Sequence, residues 1–246
     1  MADLAHRKAS KKIQFVGKDG KPLSNQNIQV ELKKHDFLFG CGAFDFVAAV
    51  SIPDEEKKAH FIDRTEKWAK LFNYGTLPFY WGGFEKEEGK PNTENLKKAV
   101  LLLKDFNATV KGHPLCWHTG CAEWLLKYDN KTILEKQLAR IYRDVGEFKG
   151  LIDMWDVINE VVIMPIYDKY DNAITRLCKE HGRIGLCKKV FDAAKDCNPN
   201  GTFLINDFNL STSYEILIDG LLQSGVPINT IGLQSHQHHG VWGIEK

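Results

Sequence analysis

Apolar and polar positions alternate in blocks along this chain. From Phe37 onward a short apolar run, a polar loop and an amphipathic stretch repeat in that order. The apolar runs are Phe37–Cys41, Leu71–Thr76, Ala108–His113, Asp153–Ile158, Thr202–Asn206 and Thr230–Gln234, all of strand length. Between them apolar residues recur at helical spacing: Leu96, Val100 and Leu103, then Leu134, Leu138, Ile141 and Val145, then Cys187, Val190, Phe191 and Ala194. Ser51-x-x-Asp54, with Pro53 in the first turn, Thr132-x-x-Glu135 and Thr212-x-x-Glu215 predict capping boxes that satisfy first-turn amides. Asn198-Pro199-Asn200-Gly201 ends the third helix. Ahead of the repeat, Ile13–Val16 and Ile28–Leu32 predict two short strands around the turn Lys18–Pro22, a small β appendage.

Strands that alternate with helices indicate a parallel sheet, because a parallel crossover needs room for a helix. An open doubly wound sheet and a closed barrel both fit that order. The glycine-rich phosphate signatures G-x-G-x-x-G and G-x-x-x-x-G-K-[ST] are missing, which takes the nucleotide-binding open sheets out of the lead. The fold expected is therefore α/β, a (β/α)8 barrel with about six of its eight βα units, and one domain over residues 1–246.

Charge narrows the partner. Lys+Arg 33 against Asp+Glu 32 gives no broad positive field for nucleic acid or an anionic membrane, so a neutral partner is expected. The first dozen residues lack the apolar stretch of a signal peptide, and no run approaches the roughly 20 apolar residues of a membrane span. Six cysteines without C-x-x-C spacing lean toward free thiols in a reducing compartment, with Cys41, Cys116 and Cys197 packed as small hydrophobes.

The chemistry gathers where the apolar runs end. There the sequence turns to His113-Pro114-Leu115-Cys116-Trp117-His118, Trp155-Asp156-Val157-Ile158-Asn159-Glu160, Asn206-Asp207-Phe208-Asn209 and Gln234-Ser235-His236-Gln237-His238-His239. In a barrel those ends converge on one face, the face where barrel enzymes work. Indoles beside Asn, Gln and His suit a neutral polyol, whose C–H face packs on a ring while its hydroxyls meet neutral donors and acceptors. Glu160 follows an apolar strand directly, so partial desolvation is expected to raise its pKa and suit it to general-acid work on a glycosidic oxygen. Trp155 reads as core and Asp156 as a buried partner. The histidines at 236, 238 and 239 also admit a metal reading, a metal-dependent barrel hydrolase, although no carboxylate accompanies them at ligand spacing.

Four segments carry a more specific likeness: Gly112–His118 (G-H-x-L-x-W-H), Trp155–Glu160 (W-D-V-I-N-E), Ile205–Asn209 (I-N-D-F-N) and Gly232–His236 (G-L-Q-S-H). In that order and spacing the chain resembles glycoside hydrolase family 10, the endo-β-1,4-xylanase family, from about His6 onward. The resemblance implies a retaining hydrolase of internal β-1,4 bonds in xylan-like polysaccharide, with Glu160 as acid/base. It implies that Asn159, His113, Trp117, Gln234 and His236 contact the sugar or stand near the nucleophile, with Trp124 added as the Trp kept from Q-x-P-x-W. Asp156, His118, Asn206 and Asp207 are read as supporting them. No cofactor and no resident metal is called for.

The chain departs from the family in three places. The Glu-Asn-x-x-Lys after the second strand is replaced by Thr76-Leu77-Pro78-Phe79-Tyr80-Trp81, and Q-x-P-x-W appears as Gly120-Cys121-Ala122-Glu123-Trp124. The nucleophile implied on a seventh strand has no match, since Glu245 lies too close to G-L-Q-S-H and lacks a strand leading into it. Little hydrolysis is therefore expected of this polypeptide by itself, and a non-catalytic β-glycan-binding barrel is the alternative.

Overall fold

The computed structural model describes residues 8–33, 35–237 and 240. The chain divides into two units, residues 1–37 and 38–246.

In the first unit the predicted β appendage shrinks to one antiparallel bridge, Val16 to Pro22, with Leu23 N donating to Phe15 O. Ile28–Leu32 is not a strand. Its large apolar residues stay exposed, Val30 82% and Leu32 78%, so no burial rewards ordering them into a pair.

The second unit is a six-stranded, all-parallel sheet in sequence order. Its strands are β1 (Gly40–Gly42), β2 (Tyr74–Pro78), β3 (Thr109–His113), β4 (Met154–Asn159), β5 (Thr202–Asp207) and β6 (Thr230–Leu233). Consecutive pairing of every strand with the next, each joined by helical crossovers, is the winding of a (β/α)8 barrel, of which six strands lie among the described residues. The helices are α1 (Phe44–Ser51), α2 (Glu55–Ala69), α3 (Trp81–Phe84), α4 (Thr93–Asp105), α5 (Asn130–Glu147), α6 (Ala173–Cys197) and α7 (Thr212–Gln223).

The helix starts differ from those expected. Asp54, Asp129, Asn172 and Ser211 are the N-caps, accepting from Lys57, Thr132, Thr175 and Ser213 amides. Thr132 is therefore a donor to the cap, and Ser51 closes α1 with its hydroxyl on Val47 O. At α5 the Asp129 carboxylate, three residues upstream, takes the cap in place of the Thr132 hydroxyl, and at α7 Ser211 caps one residue ahead of Thr212. Gly182, with φ 68, kinks α6 where an L side chain would be strained.

Trp155 is fully buried and packs edge-on to Phe79, centroids 4.7 Å apart, with Phe148 5.1 Å from Phe79. Gly112 lets β3 lie against this indole: a Cβ there would stand 2.2 Å from the Trp155 ring. Among the cysteines, Cys116, Cys178 and Cys187 are buried and Cys197 is half-buried against the core, while Cys41 is exposed, against the expectation that it packs as a small hydrophobe. β1 is the end strand of the sheet among the described residues, and the Cys41 sulfur there accepts Trp68 Nε1–H at 3.2 Å.

Candidate active site

The C-terminal ends of β3, β4, β5 and β6 bring the predicted residues together. Glu160 follows β4 with φ 57, a left-handed conformation that costs a non-glycine residue of order 1–3 kcal/mol, held by its amide donating to Asn206 O at 2.8 Å. Its side chain is 13% exposed. One carboxyl oxygen accepts Trp117 Nε1–H at 2.9 Å, the other Gln234 Nε2–H at 3.2 Å. Two N–H donors from two different strand ends thus fix the plane of one carboxyl group.

Asn159 sits beside it, 1% exposed. Its Oδ1 accepts from Asn206 Nδ2 at 2.9 Å and Gln234 Nε2 at 3.0 Å, and Gln234 Oε1 meets His236 Nε2 at 3.0 Å. Gly232 keeps β6 close enough for this network, since a Cβ there would lie 2.4 Å from Asn206 Oδ1. Asp207 spends its carboxylate on the loops: Oδ2 accepts Val162 N–H and Oδ1 accepts Asn209 N–H. Burial pushes its pKa up, against those amide hydrogen bonds.

A β-bulge explains why two residues three apart both reach this cluster. β4 pairs Asp156 with Leu204 but Ile158 with Ile205, a register shift of one. In a regular strand Asp156 and Asn159 would face opposite sides; the extra residue restores Asn159 to the side that Asp156 already occupies.

Asp156 is fully buried, and its Oδ2 takes both His113 Nδ1 at 2.6 Å and Lys111 Nζ at 2.7 Å. Burial works to raise its pKa, but the His113 hydrogen bond and the Lys111 charge outweigh it and hold the carboxyl below its usual 3.8. A carboxyl with a depressed folded pKa contributes stability above its unfolded pKa and loses it as pH falls through the folded value. The stability gap between the wild type and Asp156→Asn is therefore expected to be full above about pH 4 and to shrink on further acidification. Thermal melts of both proteins across that range check it, and a gap independent of pH would contradict the assignment.

His118 is fully buried, its ring tilted 54° to that of Tyr167 with centroids 4.3 Å apart, and its Nε2 lies 3.8 Å from the Glu160 carboxyl. Burial pushes its pKa down to about 4, so the imidazole is neutral at pH 7. Trp124 joins a different cluster, edge-on to Trp81 at 5.6 Å and donating to Glu85 O. His238, His239 and Glu245 lie outside the described residues, and with them the metal reading.

Two residues of the cluster were not singled out from sequence. Tyr80 stands 5.7 Å from Trp117 and 5.6 Å from His113, forming an aromatic wall where the family's Glu-Asn-x-x-Lys would run. Lys111 lies two residues before His113, hence on the same strand face, which is the signal that could have found it.

The sequence profile of Glycosyl hydrolase family 10 matches residues 64–246. Endo-1,4-beta-xylanase 3 of Hypocrea jecorina is 29% identical over 65% of this chain and 47% of its own length. Endo-1,4-beta-xylanase B of Thermotoga neapolitana is 28% identical over 76% of this chain and 54% of its own. The chain thus spans about half the length of the curated relatives it matches. Among solved structures, xylanase 10B of Thermotoga petrophila in complex with xylobiose superposes with a TM-score of 0.64 at 25% identity, over 78% of this chain and 59% of that one. A family 10 protein of Paenibacillus barcinonensis gives 0.66 at 22% identity, covering 82% and 61%. With the six parallel strands, the ordered strand-end motifs and a profile match over most of its length, this chain belongs to glycosyl hydrolase family 10.

Proposed function

We propose that this chain carries the acid/base side of a xylanase-like retaining site for β-1,4-linked glycans, with Glu160 as the proton donor. The observation that carries the reading is the Glu160 carboxyl held by Trp117 and Gln234 beside Asn159, His113 and Tyr80. The xylanase names of its relatives and the xylobiose in one similar structure point to the same substrate class.

In this scheme the glycan lies across the rings of Tyr80 and Trp117, and Glu160 protonates the glycosidic oxygen as its bond to the anomeric carbon breaks. A second carboxylate attacks that carbon from the opposite face, about 5–5.5 Å from the first. Glu160, now ionised, takes a proton from the water that releases the sugar. Trp117 and Gln234 are pure donors toward its oxygens, so they hold the ionised form in place for this second half. The second carboxylate is assigned to the seventh strand of a complete barrel.

Calorimetric titration with xylotriose tests the reading. Binding is expected, weakened at least about tenfold in Trp117→Ala, since the lost packing of sugar C–H groups on the indole and the lost hydrogen bond to Glu160 together exceed about 1.4 kcal/mol. Absence of any binding by the folded chain would sink both catalysis and simple glycan binding. Binding without sugar release is the result expected where the second carboxylate is not supplied.

A further inference from the structure

We infer that Lys111 is a positioning residue that, through Asp156, fixes His113 as the Nδ1–H tautomer and leaves its Nε2 as a hydrogen-bond acceptor facing Tyr80 and Trp117. The inference rests on the glycan reading only for its ligand, because the tautomer is a property of the chain itself.

The argument starts from one oxygen. Lys111 Nζ and His113 Nδ1 both meet Asp156 Oδ2, at 2.7 and 2.6 Å, while Oδ1 is buried with no hydrogen-bond partner among the described residues. Asp156 is fully buried, and the Lys111 and His113 side chains are 15% and 16% exposed. An ionised carboxylate only accepts, so the ring nitrogen touching it must carry the hydrogen. The ring's hydrogen is then on Nδ1.

What the second nitrogen presents depends on charge balance. The other titratable groups near Asp156 are the phenols of Tyr74 on β2, Tyr80 before α3 and Tyr214 on α7, all with pKa raised by burial and therefore neutral. Only Lys111 and His113 can bring positive charge to this carboxylate among the described residues. Lys111 Nζ shares Oδ2 with the ring, so this carboxylate does not belong to His113 alone, and with the ring's hydrogen on Nδ1 the Nε2 lone pair is left for a donor. A sugar hydroxyl can then donate to Nε2; an imidazolium there would instead demand an acceptor. The same face of β3 delivers both residues because they are two apart in the strand.

Nitrogen NMR of histidine-labelled protein at neutral pH tests this, with the His113 signals identified by their loss in His113→Gln. The wild type is expected to show a protonated Nδ1 and a bare Nε2. Lys111→Met should protonate both nitrogens or move the hydrogen, and Lys111→Arg should restore the wild-type pattern. A wild-type ring with its hydrogen on Nε2 overturns the inference whether or not any variant folds. A folded Lys111→Met protein with an unchanged His113 pattern overturns the role given to Lys111. In the sugar arm, xylotriose affinity should fall about tenfold in Lys111→Met and stay within about threefold in Lys111→Arg. Equal affinity of Lys111→Met and wild type removes the ligand consequence. A wild type that binds no xylotriose yet shows the expected ring pattern removes the glycan reading and leaves the tautomer assignment standing.

Discussion

Glu160→Gln is expected to lower xylan hydrolysis by about 100- to 10,000-fold in the protein that carries this site with its second carboxylate, while xylo-oligosaccharide affinity changes by less than about tenfold. An amide cannot supply the proton that the departing glycosidic oxygen needs, so the loss should appear in kcat. Binding is largely spared because glutamine keeps the shape and one acceptor oxygen. That oxygen can satisfy either Trp117 Nε1–H or Gln234 Nε2–H, the two donors that now grip the carboxylate, but not both. The rearrangement accounts for the modest cost in affinity. Steady-state kinetics on xylan together with calorimetry separates the two effects, and hydrolysis retained within a factor of ten would take Glu160 out of the acid/base role.

Arg140→Met is expected to destabilise the fold by about 3–5 kcal/mol, the cost of removing one partner from a buried, hydrogen-bonded ion pair. Arg140 on α5 is 3% exposed and donates Nε to Asp144, Nη1 to Leu115 O and Nη2 to Pro114 O and Phe79 O. Burial works to lower its pKa, and Asp144, itself pushed up by burial, opposes that. Methionine would leave Asp144 with Arg143 alone and take the Arg140 donor from the Phe79 and Pro114 carbonyls, which follow β2 and β3, while Leu115 O keeps Gln137 Nε2–H. Those carbonyls anchor the segments next to Tyr80 and His113, so glycan affinity should fall along with stability. Denaturant unfolding of Arg140→Met beside Arg140→Lys measures the loss; a change below about 1 kcal/mol would show that the buried network is dispensable.

The strand ends were legible in the sequence because a parallel strand announces itself as a short apolar run and its C-terminal end as a switch to polar residues. That pattern located Glu160, Asn159 and Gln234, which the fold joins in one hydrogen-bonded cluster, and His113, which it ties to Asp156 next to the Trp117 ring. Strand limits were less legible. β1 begins at Gly40 and β2 at Tyr74, three residues later than the apolar runs at Phe37 and Leu71, because pairing partners and not hydropathy define where a ladder starts. The appendage strands failed for the same reason. Ile28–Leu32 has the propensity for a strand but no partner to bury it.

What the sequence alone determined is the alternation of strands and helices, the parallel winding that follows from it, and the chemical types delivered to each strand end. Those depend on periodicity and on local residue chemistry, which any one chain displays. Tertiary structure decided which of these groups meet. The bulge in β4 turns Asn159 to the side of Asp156, the left-handed backbone at Glu160 aims its carboxyl between Trp117 and Gln234, and Lys111 is drawn to Asp156 across 45 positions. Trp124, equally plausible in the sequence, is carried to Trp81 instead. Contacts between residues far apart in the chain depend on register and backbone twist, and neither is written in the hydrophobic pattern of the segments taken one at a time.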